Sequence, residues 1–196
     1  MKSFGQWQRL MVKDDLNFSE TKEAENEMDF EMDHNIYMKM LSHLQKTTPN
    51  LWDYSKIPHP EDAKVLLNYA KELSTMKKDG YLICNVEPNN LIQYISPHQI
   101  RVGRVLHILK VMNEASKGEL VVVKRLDVAK SDWDGEEWLN KVFKKLSVVH
   151  VRQYGQVEII SACHIIGTAA YRELPNGALG CREPSLMVHV IKKGAN

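Results

Sequence analysis

Between Glu23 and Leu44 apolar residues recur at every fourth position: Met28, Met32, Ile36, Met40 and Leu44, with Tyr37 and Leu41 beside them. That spacing predicts an amphipathic helix. The next stretch, TTPNLWDYSKIPHP, holds three prolines and no period, and reads as a linker. Pro60, Glu61 and Asp62 resemble the first turn of a second helix, where proline is tolerated and acids meet the positive helix end. Its apolar side is Ala63, Leu66, Ala70 and Leu73, and Gly80 ends it. Tyr81 to Val86 is expected to be a short strand. Ser96-Pro97-His98-Gln99 then reads as an N-cap, a first-turn proline and a capping-box glutamine. The helix it opens carries Val102, Val105, Leu109 and Met112 on its buried side and stops at Gly118.

Glu119 to Val128, with its LVVV run, is expected to be a buried strand. Ser131-Asp132 caps a further helix with apolar Trp138, Leu139, Val142, Phe143 and Leu146. The remaining residues alternate. Ser147–Tyr154 and Gln156–His164 read as a hairpin joined at Gly155, followed by a turn at Pro175-Asn176-Gly177 and a last strand over Leu186–Ile191. Helices and strands are partly segregated along the chain, which favours α+β. The expected architecture is a twisted antiparallel sheet packed against several amphipathic helices. It forms a single domain with an N-terminal arm: arm over 1–22, helix and proline-containing linker over 23–60, globular domain over 61–196.

The 196 residues suffice for one domain with a core, and a hydrophobic content of 43% excludes a disordered chain. No apolar run approaches the ~20 residues of a spanning helix. The first residues have no signal-peptide core, and neither a myristoylation glycine nor a prenylation box stands at the ends. Membrane contact is therefore expected to be peripheral. Cys84, Cys163 and Cys181 form no CxxC pair, which suits a reducing compartment. The net charge of +1 is unevenly spread. Residues 1–40 hold five Lys/Arg and nine Asp/Glu, whereas the rest hold 21 and 16, so an acidic arm precedes a mildly basic body.

Nucleophile, metal and nucleotide motifs are missing, so no catalytic residue, cofactor ligand or metal ligand is assigned and a binding role is expected. Cys163-His164 is the most tempting pair, but neighbours in a strand point to opposite faces, which favours a structural role. Lys141, Lys144 and Lys145, at i, i+3 and i+4, put three ammonium groups on one helical face, with Arg152 following on the next strand. Such a face suits anionic lipid or phosphate. A solvated helix face is the plainer reading of the same residues.

Three blocks, in order, resemble the matrix proteins of rhabdoviruses of the lyssavirus type. The first is Ser96-Pro97, His107-Ile108-Leu109-Lys110 and Asn113-Glu114 with Gly118. The second is WLNKVFKKL from Trp138 to Leu146. The third is Cys163-His164-Ile165 with Gly167. The family's PPxY motif is missing. The resemblance implies a viral structural protein that self-associates and bridges the ribonucleocapsid to the inner membrane surface and the envelope glycoprotein. It would reside in the virion, the host cytoplasm and the inner face of the host membrane. Its partners would be copies of itself, nucleocapsid, glycoprotein, an anionic lipid surface and host proteins. Met28, Met32 and Ile36, with Leu51 and Trp52, are the candidate self-association surface. The alternative is a viral accessory or intracellular adaptor protein that binds a host partner through its methionine-rich N-terminal helix.

Overall fold

The computed structural model describes residues 27–97, 99–111, 118–129 and 136–190. The chain opens with β1 (Glu27–Glu31), α1 (His34–Gln45), β2 (Leu51–Asp53) and β3 (Lys64–Leu66). It continues with β4 (Tyr69–Leu73), β5 (Thr75–Lys78), β6 (Tyr81–Cys84), β7 (Leu91–Ser96), β8 (Gln99–Val111) and β9 (Leu120–Leu126). After α2 (Glu136–Leu146) come β10 (Val148–Arg152), β11 (Val157–Ser161), β12 (Ile165–Thr168), β13 (Tyr171–Leu174) and β14 (Ser185–His189). Strands outweigh helices, 49% against 19%. This corrects the α+β expectation of several amphipathic helices packed on a sheet: the fold is mostly β, built from several sheets. The arm expected over residues 1–22 lies outside the described residues.

Strand β8 organises the main, seven-stranded antiparallel sheet. β9 runs along one of its edges, and β11 pairs with β9. On the other edge β7 takes the first half of β8 and β4 the second half, with β12 and β1 outside them. One face of this sheet is covered twice. Around Leu109, Val111, Leu120, Val122 and Ile159 it is covered by Ile36, Tyr37, Met40, Leu41 and Leu44 of α1. Around Leu91, Val102 and Leu126 it is covered by Val151, Leu186 and Val188 of a small sheet ordered β10-β14-β13. The other face packs Ile92, Tyr94, Val105, Ile108, Val121, Val123 and Ile160 together, with Met76 and Ile83 of the β5–β6 hairpin.

This two-sided burial explains where the helix expectations fail. In a strand, residues three apart point to opposite faces. Ala70 and Leu73 of β4 do so, one in each apolar cluster, and their spacing imitates a helix. In β8 a bulge between Val105 and His107 inserts a residue, so Val105 and Ile108 share a face although three apart. Val102, Val105, Ile108 and Val111 are also β-branched, which favours strand over helix. Ser96-Pro97 therefore turns β7 into β8, and the expected helix from Ser96 to Gly118 is a strand as far as Val111; Asn113, Glu114 and Met112 lie outside the described residues. The first expected helix is shortened. Met28 lies on β1, and Asp33 caps α1 by accepting from the Ile36 N–H at 2.9 Å.

The expected hairpin at Gly155 is also replaced. β10 pairs with β14, and β11 pairs with β9. Gly155 is where the chain crosses from the small sheet to the large one. A Cβ there would collide with the Arg125 carbonyl, and Arg125 N donates to Gln156 O at 2.8 Å. The remaining expected strands, over 81–86, 119–128 and 186–191, appear as β6, β9 and β14 with shifted ends.

Leu109 is fully buried between β8 and α1. Leu109→Ala is expected to cost about 2–5 kcal/mol, measured by urea unfolding. A loss below about 0.5 kcal/mol, the usual effect at a surface position, would contradict this packing.

Candidate functional site

Helix α2 packs against β10 of the small sheet. Leu139 and Phe143, one turn apart, form its buried stripe and seat it on β10. Along β10 the side chains alternate: Val151 faces the main sheet, while His150 faces the helix, its ring 6.3 Å from that of Phe143. A cavity of about 330 Å3 remains between helix and strand, lined by Val128, Leu139, Phe143 and His150 among others. His150 is buried and its Nε2 has no hydrogen-bond partner. Burial holds its pKa below the usual imidazole range.

The opposite face of α2 meets solvent. At about 100° per residue, Trp138, Lys141 and Lys145 share one stripe. Trp138 is 65% exposed, unusual for so large an apolar ring. Lys141 pairs with Glu137 at 2.8 Å, but both side chains are mostly solvated, so the pair is weak and open to exchange. Lys144 stands beside the stripe and also lines the cavity beneath the helix. The face thus combines an amphipathic aromatic ring with ammonium groups on flexible stems. That combination settles at the boundary between water and an anionic apolar phase.

Arg152 does not join this face. It ends β10, about 13 Å along the strand from Val148 at ~3.3 Å per residue. Its guanidinium lies 3.5 Å from Glu183 and lines a different cavity, with Asp127, Tyr154 and Gln156. The candidate self-association residues also separate. Met32, Ile36 and Leu51 are buried in the chain's own core, whereas Met28 and Trp52 keep 61% and 38% of their surface exposed. Met28 sits on β1, whose outer edge meets no other strand among the described residues. Cys163 and His164 lie on a single 3-10 turn over Ala162–His164, and both are exposed.

Sequence reasoning missed a polar cluster at one end of the main sheet. The Tyr94 hydroxyl donates to Glu158 Oε2 at 2.9 Å, and Arg101 and Arg125 donate to Glu158 Oε1 at 2.7 and 2.9 Å. Burial and the Glu158 carboxylate together push the Tyr94 pKa upward, so the phenol stays protonated. The available signal was a set of charges inside runs otherwise apolar: Arg101 and Arg125 in strands, and Glu158 between Val157 and Ile159. Elsewhere, the Tyr37 hydroxyl donates to Asp53 at 3.0 Å, and burial raises its pKa to about 12. Among the described residues no group of three His, Cys, Asp or Glu side chains is placed to hold a metal ion, and no helix is long and apolar enough to cross a membrane.

Comparison with protein-family models, with curated proteins and with solved structures finds no match to this chain. The functional argument therefore rests on the chain's own surfaces.

His150 gives α2 a pH dependence. A folded-state pKa below the unfolded value of 6.5 means that the unfolded chain binds more protons on acidification. The contribution is present above pH 6.5 and is lost as pH falls through the folded value. His43, lowered by burial and by Lys46 and His164 nearby, acts in the same direction. His150→Phe keeps the aromatic contact with Phe143 and removes a buried, unpartnered nitrogen. Urea midpoints measured at neutral and mildly acidic pH should differ less in this variant than in the parent. An equal acid-induced loss in both would remove His150 from this role.

Proposed function

We propose that the chain is a non-catalytic, matrix-like assembly protein that docks peripherally on an anionic membrane surface through the outer face of α2. From there it would bridge ribonucleocapsid to the inner leaflet and the envelope glycoprotein. The observation that carries the reading is the exposed stripe of Trp138, Lys141 and Lys145 on a helix held from behind by Leu139 and Phe143. The helix coincides with the second block of the resemblance, Trp138 to Leu146. Of the first block, Ser96-Pro97 and His107 to Lys110 fall on the β7–β8 hairpin, while Asn113 and Glu114 lie outside the described residues; the third block falls on the 3-10 turn with the start of β12.

Electrostatics and apolar contact cooperate on such a face. Each lysine near an anionic leaflet contributes about 1 kcal/mol, and an indole at the interface adds burial without a spanning segment. Self-association on this reading uses Met28 on β1 and Trp52 on β2, the two candidate residues whose surfaces remain available.

Replacing Lys141, Lys144 and Lys145 together with Glu turns attraction into repulsion. The expected loss exceeds about 3 kcal/mol, more than a hundredfold in partitioning. Flotation with anionic and neutral liposomes measures it, with circular dichroism as the folding control. A folded triple variant that floats like the parent would reduce this face to ordinary solvated surface. A parent chain that ignores anionic vesicles would remove membrane docking from the reading.

A further inference from the structure

The main sheet curls but does not close. From β11 the chain reaches β12 through the three-residue 3-10 turn Ala162–His164, and β12 pairs with β7 only as far as Tyr94. Two strand segments are left facing each other across a seam. On one side is the outer edge of β11, which pairs with β9 alone among the described residues. On the other are Ile95 and Ser96, beyond the last β7–β12 pair. The Tyr94–Glu158 hydrogen bond spans the gap from within. A groove of about 810 Å3 follows the seam, and residues 156 to 160 line it without interruption.

An open edge usually carries protection such as charges, proline or a covering element. Of the three outer strands of this sheet, β1, β12 and β11, the first and the last differ in that respect. β1 presents Glu27, Asp29 and Glu31, an edge that repels another acidic strand. β11 reads VEIIS, and its one charge, Glu158, turns inward to Tyr94, Arg101 and Arg125. Helix α1 packs Ile36, Met40 and Leu44 over the neighbouring face, and His43 Nε2 lies 3.3 Å from Ser161 Oγ.

The lining also carries two lysines, Lys39 on α1 and Lys46 at its C-terminal cap, with His43 between them and His164 at the far end. Burial, with Lys46 and His164 nearby, disfavours protonation of His43, so the charge of the rim is carried by the two lysines. Among the described residues the lining holds one carboxylate, Glu158, which is already shared by two guanidinium groups. An extended chain laid against β11 would find unpaired backbone groups along about 16 Å, at ~3.3 Å per residue, beneath a positive rim.

We propose that this seam is a strand-addition site for an acidic, extended peptide segment of another protein, pairing with the outer edge of β11 under the lysines of α1. Main-chain hydrogen bonds supply the affinity and the rim supplies the charge selection. The site shares no residue with the outer face of α2 and does not depend on membrane docking.

The test uses the full chain and a fluorescein-labelled eight-residue peptide of alternating Val and Glu, followed by anisotropy at low salt. The acidic peptide should bind and its counterpart with Lys in place of Glu should not. Lys39→Glu combined with Lys46→Glu should weaken binding about tenfold or more, since two rim attractions become repulsions. Methylating alternate backbone nitrogens of the peptide should abolish binding in one frame and spare it in the other, because only one edge of the added strand faces β11. Hydrogen exchange should slow at alternate amides between Val157 and Ser161. Equal binding of the lysine peptide, indifference to both methylation frames, or equal displacement by inorganic polyphosphate would overturn the proposal in favour of a nonspecific anion surface. Protection of β11 on concentrating the protein alone, without peptide, would assign the seam to a second copy and also overturn it.

Discussion

The fold depends on satisfying both edges and both faces of β8. A strand of thirteen residues that is apolar on both sides cannot lie at a surface. It needs a ladder on each edge and a layer on each face. The edges are met by β9 on one side and by β7 and β4, end to end, on the other. One face is met by α1 and the small sheet side by side, the other by the curl of the main sheet itself with the β5–β6 hairpin. The bulge at Val105/His107 allows one strand to serve both halves, because it restores the apolar phase after the change of partner.

Curling brings its own cost at the open end. Tyr94 is fully buried on the concave face, and its ring crosses Gly103, where an added Cβ would lie 3.0 Å from Cε1. The hydroxyl must then find an acceptor, and Glu158 provides it from the far strand. That carboxylate is stabilised by Arg101 and Arg125, and Asp127 accepts from the Nε of Arg125 at 2.8 Å. Two guanidiniums and two carboxylates balance. With Arg101, Arg125 and Glu158 about a quarter exposed and Asp127 about half, the network contributes less than a fully buried one, and it links strands that are not neighbours in the sheet. The seam beside β11 follows from this arrangement: the curl is held by a side-chain bridge rather than by a closed ladder.

Local signals served well where one element met one environment. α2 is legible in part: of its expected apolar positions Leu139 and Phe143 face a single strand, whereas Trp138 and Leu146 are exposed. The LVVV run of β9 was legible because four consecutive apolar residues suit a strand buried on both faces. The misreadings share one cause. In β4 and β8 the apolar positions serve two faces at once, so period two is lost and a spacing of three or four appears by superposition. Ser96-Pro97 then looked like a helix cap, although the same dipeptide suits a tight connection between strands. At Gly155 the deciding contact is with the Arg125 backbone, thirty residues upstream, which no local pattern encodes. The lysines of α2 were found because they share a helix turn. The seam was not, since its lining comes from α1, β7, β11 and the turn after it, joined only by the curl.

Bridging, as proposed here, requires two surfaces that do not compete. The layer order provides them. α2 rests on the small sheet, which is attached to the end of β9 through the Val128–Val151 bridge and the Ala129–His150 and Arg152–Asp127 backbone hydrogen bonds. The seam is built on the main sheet, with α1 as its wall. The small sheet also packs Val151, Leu186 and Val188 on Leu91, Val102 and Leu126, so α2 is seated on the main sheet through several strands. A strand added to β11 would lie next to β9, and both surfaces would share the main sheet as their support. On the proposed reading, bridging would use two separate contact surfaces supported by one sheet with apolar packing on both of its faces.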